Sequence, residues 1–219
     1  MENKQTFVIT IGREFGSGGR EIGKRLSEIL SIDYYDKELL AAAAKESGVS
    51  THFFEKSDER SPSFFENIHS YNLGLGISSY VGVSTPISHN NIYTIQSRVI
   101  EKIADEKSCI IVGRTADYIL RNHPCCINIF LHSDMSKRVS RIMKRGDVTS
   151  ESDAIAIALK RDKLRAAYYN YYTDKTWGQA ASYDLSIDTS TLSIDEAVKL
   201  IADYAKIRIN QVYGAIAKS

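Results

Sequence analysis

The chain has 219 residues, enough for one sizeable domain with a real core and room for a mobile subdomain. Apolar residues make up 43% and charged residues 25%, and a net charge of +1 gives no bulk attraction to nucleic acid or to a membrane surface. No apolar run approaches the roughly 20 residues of a membrane span, and MENKQTFVIT is not expected to be a secretory signal. An odd count of cysteines, Cys109, Cys125 and Cys126, without metal spacing, reads as reduced thiols of a cytoplasmic protein.

Residues 6–11 are β-branched and aromatic enough for a first strand. A glycine cluster follows, and then Ile22, Leu26, Ile29 and Leu30 recur at helical spacing with Glu21, Lys24, Arg25 and Glu28 on the other faces. A short second strand is expected at 32–35, leading into Asp36, and KELLAAAAKESG reads as a helix stopped by Gly48. Residues 50–92, with Pro62, Pro86 and scattered aromatics, lack periodicity and read as an insertion of short helices and loops. Helix resumes at about 92–106. SCIIV (108–112) and CINIFLH (126–132) are short apolar runs of the kind found in strands buried on both faces. A helix is expected from Gly113-Arg114 through Leu120, a basic helix carries Lys137 to Arg145, and another spans 152–172. A last strand at 183–187 precedes IDEAVKLIADYAKIRI, opened by a Ser193/Glu196 capping box. Strands alternating with helices predict a three-layer α/β fold around a central parallel sheet.

The glycine cluster admits two registers. GGREIGKR nearly fits G-x-x-x-x-G-K-[ST], but Ile22 and Leu26 put Gly23 and Lys24 a turn inside the helix, too far along to meet a phosphate at its start. REFGSGGR instead lies directly between strand and helix. There Gly16, Gly18 and Gly19 can take positive φ, and backbone N–H groups can converge with the helix N-terminus on an anion. The plainer alternative is a tight turn. In this register Gly19 and Arg20 stand where lysine and Ser/Thr would be, so compensating charge must come from Arg13, Arg20 or arginines elsewhere, with Ser17 completing the loop.

Arg138, Arg141 and Arg145 share one helical face, and Arg161 and Arg165 lie four apart beside Asp162. Phosphoryl transfer needs such guanidinium forks; a solvated face with intrahelical ion pairs is the structural alternative. Arg114 follows a buried strand at its carboxyl end, where open α/β sheets bind ligands, or else it simply starts a helix. Asp36 fits a helix N-cap as well as a ligand or magnesium contact. Tyr168 to Trp177 could stack a base or merely pack.

Taken in order, ITIGREFGSGGREIGKRL, YYDKELL, IIVGRTADYIL, IFLHSDMSKRVSRI, KRDKLRAAYYNYYTDKTWG and YDLSIDTSTLSIDEAV resemble the cytidylate kinase-like family, relatives of nucleoside monophosphate kinases. The resemblance implies a P-loop kinase fold with a helical, acceptor-binding insertion at about 45–95 and a lid at about 137–165. It implies ATP as donor with Mg²⁺, and transfer to CMP, dCMP or a similar small acceptor. Arg114, Asp162 and Arg165 match residues that contact the acceptor in that family, with Arg161 alongside them. Arg138, Arg141 and Arg145 match its lid arginines. Two departures accompany the match: the loop has neither lysine nor Ser/Thr, and residues 37–44 hold no arginine. A nucleotide-binding module without transfer activity and a P-loop kinase for a non-nucleotide metabolite are the alternatives.

Overall fold

The first strand, β1 (Val8–Arg13), lies between two parallel neighbours, because its apolar residues face cover on both sides. The computed structural model describes residues 5–36 and 89–216. In chain order β1 is followed by α1 (Gly19–Leu30), β2 (Asp33–Tyr35), α2 (His89–Glu106), β3 (Cys109–Val112), α3 (Ala116–Ile119) and β4 (Cys126–His132). Then come α4 (Met135–Lys144), α5 (Glu151–Tyr172), a 3₁₀ turn (Ala180–Ser182), β5 (Leu185–Asp188) and α6 (Ile194–Ile216). The five strands form one parallel sheet in the order β2-β3-β1-β4-β5. The chain divides into two compact units, Met1–Asp36 with Ile100–Ser219, and Lys37–Val99. The expected helix at 37–48 and most of the 50–92 stretch lie outside the described residues, and α2 starts three residues before the expected position 92.

Register decides which side chains share a face. Ile9, Ile11 and Arg13 pair with Ile127, Ile129 and Leu131, and Ile9 and Ile11 also pair with Ile110 and Val112. These apolar residues join Ile22 and Leu26 of α1 and Ala197, Val198 and Ile201 of α6 in one buried cluster. Each fully buried isoleucine or leucine there stabilises by about 1.5–3 kcal/mol. Gly23 is buried in that seam, where a Cβ would lie 2.9 Å from the Tyr34 ring, so it is a helix–strand contact and not part of the phosphate loop.

On the other face Gly12 pairs with Phe130, and a Cβ on Gly12 would lie 2.9 Å from the Phe130 ring and 3.1 Å from Tyr183. A smaller cluster of Val139, Ile142, Ala154 and Ala158 joins α4 to α5, with Phe15 packed against it. β1 leads to β2 on one side of the sheet and β3 leads to β4 on the other. With right-handed crossovers these connections leave on opposite faces and open a crevice at the carboxyl ends of β1 and β3.

Candidate functional site

Between the end of β1 at Arg13 and the start of α1 at Gly19 lie only five residues. Gly16 and Gly18 turn the chain there with φ of 85° and 89°, a left-handed conformation costly for any residue with a side chain. Gly16 is doubly required, since a Cβ would lie 2.9 Å from the carbonyl oxygen of Arg138.

The loop's carbonyls are held from outside. Arg165 Nη1 donates to Arg13 O at 3.0 Å, Arg138 Nε to Phe15 O at 2.8 Å, Arg141 Nη1 to Gly16 O at 3.4 Å, and Thr189 Oγ1 to Ser17 O at 2.8 Å. In a planar trans peptide the N–H points opposite to the carbonyl, so the amides of Gly16 and Gly18 turn inward. The first α-helical ladder bond of α1 runs from Ile22 N to Gly18 O, which leaves the amides of Gly19, Arg20 and Glu21 without a partner from the helix. Converging amides at a helix N-terminus make a cup for an anion.

Arg138 lies at the centre of this bracing. It is 4% exposed and pairs with Asp162 and with Glu14, the latter at 3.3 Å, while Glu14 also accepts from Ser133 N at 3.0 Å. Asp162 accepts from Phe15 N at 2.7 Å and lies 3.8 Å from Arg165. Burial pushes the Asp162 carboxyl above its ordinary pKa, against the opposing hydrogen bond of Phe15 and the charges of Arg138 and Arg165. Burial likewise lowers the Arg141 guanidinium, which also donates to Ser133 Oγ at 3.1 Å and Thr189 O at 2.6 Å. Arg145 pairs with Asp147 and stands 5.1 Å from the Phe15 ring, with Arg165 at 5.6 Å from the same ring. The structure thus brings Arg138, Arg141, Asp162 and Arg165 together on the outer side of the loop. Arg161, half-buried, sits beside Asp162 on α5.

Arg20 reaches Asp36 with Nε at 3.0 Å and Nη2 at 2.9 Å, and Arg13 Nη2 lies 3.9 Å from the same carboxylate. Burial works against the Arg20 charge, yet the hydrogen bonds and charge of Asp36 more than offset it and raise its pKa. Gly113, Arg114 and Thr115, just after β3, all have positive φ (79°, 62° and 53°). Two consecutive non-glycine residues in that region cost on the order of 1–3 kcal/mol each, and such strain gathers at functional sites. Most tyrosines of the 168–177 run pack on one another, Tyr168 and Tyr171 each against Tyr172, while Trp177 sits edge-on to Phe130.

A cup of this kind can hold a phosphate group. Magnesium finds less: the hydroxyl that ligates it in other such loops is replaced by Arg20, and Asp36 is engaged by guanidinium. The residues at the loop do not fit a protein-held magnesium ion. Glu14, Phe15 and Thr189 carry the loop without any sequence motif to announce them. Phe15 gives a faint signal, as a large apolar residue in an otherwise polar turn.

Residues 8–191 match the cytidylate kinase-like family. The chain belongs to that family. A cytidylate kinase of Saccharolobus islandicus is 28% identical over 113 residues, 52% of this chain and 59% of that protein, so the match spans little more than half of the relative's length. A solved structure of an uncharacterized protein from Eubacterium ventriosum superposes with a TM-score of 0.69 at 30% identity, covering 92% of this chain and 99% of the other. A gluconokinase from Sinorhizobium meliloti follows the same fold at a TM-score of 0.52 and 14% identity, covering 95% and 97% of the two chains. This cytidylate kinase-like chain therefore has the three-layer α/β P-loop kinase fold around its five-stranded parallel sheet. None of its described helices is long and apolar enough to cross a membrane.

Proposed function

We propose that the protein is an ATP-dependent phosphotransferase that moves a phosphoryl group to a nucleoside monophosphate, CMP or dCMP by kinship, or to a similar small acceptor. The observation that carries this reading is the loop whose carbonyls are tied down by Arg165, Arg138, Arg141 and Thr189, which turns the amides of Gly16 and Gly18 inward beside those of Gly19 and Arg20. Phosphoryl transfer asks little covalent chemistry of a protein and much positioning. In this reading the cup holds the donor's phosphates, and the acceptor lies over the β1–β3 crevice beside Asp36 and Arg114. Arg138, Arg141, Asp162 and Arg165 keep the cup's amides aimed, and Arg145 and Arg161 border it. Magnesium would come with the nucleotide as its counter-ion, since the residues of the loop do not fit a protein-held ion.

Two observations favour other readings. The missing lysine suits a nucleotide-binding module that transfers nothing, and the absence of arginine from residues 37–44 suits a kinase whose acceptor is not CMP. A coupled assay of ATP consumption over a panel of nucleoside monophosphates and small hydroxy acids separates them. Turnover on a nucleoside monophosphate is expected. Nucleotide binding with no turnover on any acceptor supports the binding module, and turnover confined to hydroxy acids supports a metabolite kinase. A place in the cytoplasm belongs to the same reading, in keeping with the free thiols of Cys109, Cys125 and Cys126.

A further inference from the structure

Positions 13 and 19 compete for one space. Arg13 pairs with Leu131 at the end of β1, which turns its side chain to the sheet face that α1 covers. Gly19, the first residue of α1, lies against it: a Cβ on Gly19 would be 3.0 Å from both Cβ and Cγ of Arg13 and 3.6 Å from Leu131. Carbon atoms prefer about 3.5–4.0 Å, so a side chain at 19 crowds the one at 13, and one of them must give by a few tenths of an ångström.

From there the Arg13 side chain runs to the β1–β3 crevice. A Cβ on Gly113 would run into its Nη1 and lie 3.2 Å from its Cζ, and Nη2 is 3.9 Å from Asp36. Its side chain is 15% exposed, so it is held in place and still reaches solvent. Arg20, by contrast, has a 58% exposed side chain and spends Nε and Nη2 on Asp36. Arg138, Arg141 and Arg165 meet the loop on its carbonyl side. Arg13 and Arg20 both approach the carboxylate of Asp36, Arg20 through two hydrogen bonds and Arg13 Nη2 from 3.9 Å.

We propose that the cation such loops carry at position 19 has been relocated rather than lost. Arg13 supplies it from the loop's first position, and Gly19 is glycine because that side chain passes over it. This rests on the phosphotransferase reading, since the anion it serves is the nucleotide's phosphate tail. A guanidinium at this place offers a planar, permanently charged fork to two phosphoryl oxygens, where a lysine offers a point charge. Its position between β1 and β3 puts it where donor and acceptor phosphates meet.

The test is ATP affinity by calorimetry, with turnover alongside, on the wild type and on Arg13→Gly, Arg13→Gln, Gly19→Lys and the double variant Arg13→Gly/Gly19→Lys. Arg13→Gln keeps the bulk of the side chain and removes the charge, which separates lost contact from lost packing. Removing a charged hydrogen-bonding group is expected to weaken ATP binding by roughly 10- to 100-fold in Arg13→Gly and Arg13→Gln. Gly19→Lys alone weakens binding through collision, and the double variant regains affinity to within a few fold of wild type. Equal ATP affinity in Arg13→Gln and wild type would overturn the role of Arg13 while leaving the phosphotransferase reading intact. So would a folded double variant no better than Arg13→Gly. A wild-type protein that binds no ATP would overturn both.

Discussion

Arg138 reaches Phe15 O, Glu14 and Asp162 at once from a position only 4% exposed. Its removal takes the buried counter-charge from Glu14 and leaves Asp162 with only the more distant Arg165 at 3.8 Å, a loss worth about 3–5 kcal/mol when one partner of a buried pair is deleted. Arg138→Ala is therefore expected to lose about that much stability in urea denaturation, and a loss under about 1 kcal/mol would show that solvent or a neighbour already screens the pair. The spacing of Arg138, Arg141 and Arg145 was legible in the sequence as one helical face. Spacing does not say whether a face meets water, ligand or another part of the chain, and here two of the three meet the loop's carbonyls. Asp162 and Arg165 teach the same thing, since residues expected at the acceptor hold Phe15 N and Arg13 O. The proposal for their function is accordingly indirect: they aim the amides.

Among the elements, the buried strands were the most readable. β4 runs from Cys126 to His132 as its apolar run predicts, and β3 fills most of SCIIV. β1 differs, ending at Arg13 and not at Ile11, because its ladder to β4 continues through Gly12 and Arg13 beyond the apolar run. β5 likewise starts two residues later than the expected 183. α3 ends as expected, with Leu120 as its C-cap, but it is a single turn that starts only at Ala116, and the three left-handed residues that precede it were invisible to periodicity. The capping box is formed as read, with Glu196 accepting from Ser193 N at 2.8 Å and Ser193 Oγ accepting from Glu196 N at 3.2 Å.

One contact couples α3 to α5: Tyr169 donates its hydroxyl to buried Asp117 at 2.6 Å. Burial raises the Asp117 pKa, against the lowering effect of the Tyr169 hydrogen bond and of Lys175. A raised folded-state pKa means that folding favours the protonated carboxyl. The contribution is fully present below the ordinary carboxylate pKa and is lost as pH rises through the raised value. Asp117→Asn keeps the acceptor and removes the charge. The thermal midpoint of wild type relative to Asp117→Asn is expected to fall as pH climbs from the ordinary carboxylate range, and parallel profiles would contradict the raised pKa.

At the scale of the whole molecule, alternation of strands and helices was enough to read a parallel sheet covered on both faces. The order β2-β3-β1-β4-β5 was not readable from alternation, yet it decides where the crevice lies. Nor does sequence spacing reveal that Gly19 lies against the Arg13 side chain, because that close approach appears only when strand end and helix start are folded together. Residues 37–44, whose lack of arginine bears on the proposed acceptor, lie outside the described part of the chain. All of the proposed chemistry depends on main-chain N–H groups receiving a phosphate tail between β1 and α1. Amide chemical shifts of isotope-labelled protein titrated with ATP test this most directly. Saturable shifts greatest at Gly16, Gly18, Gly19 and Arg20 are the predicted result; a saturated nucleotide complex whose shifts lie elsewhere, with those four amides unmoved, would contradict it.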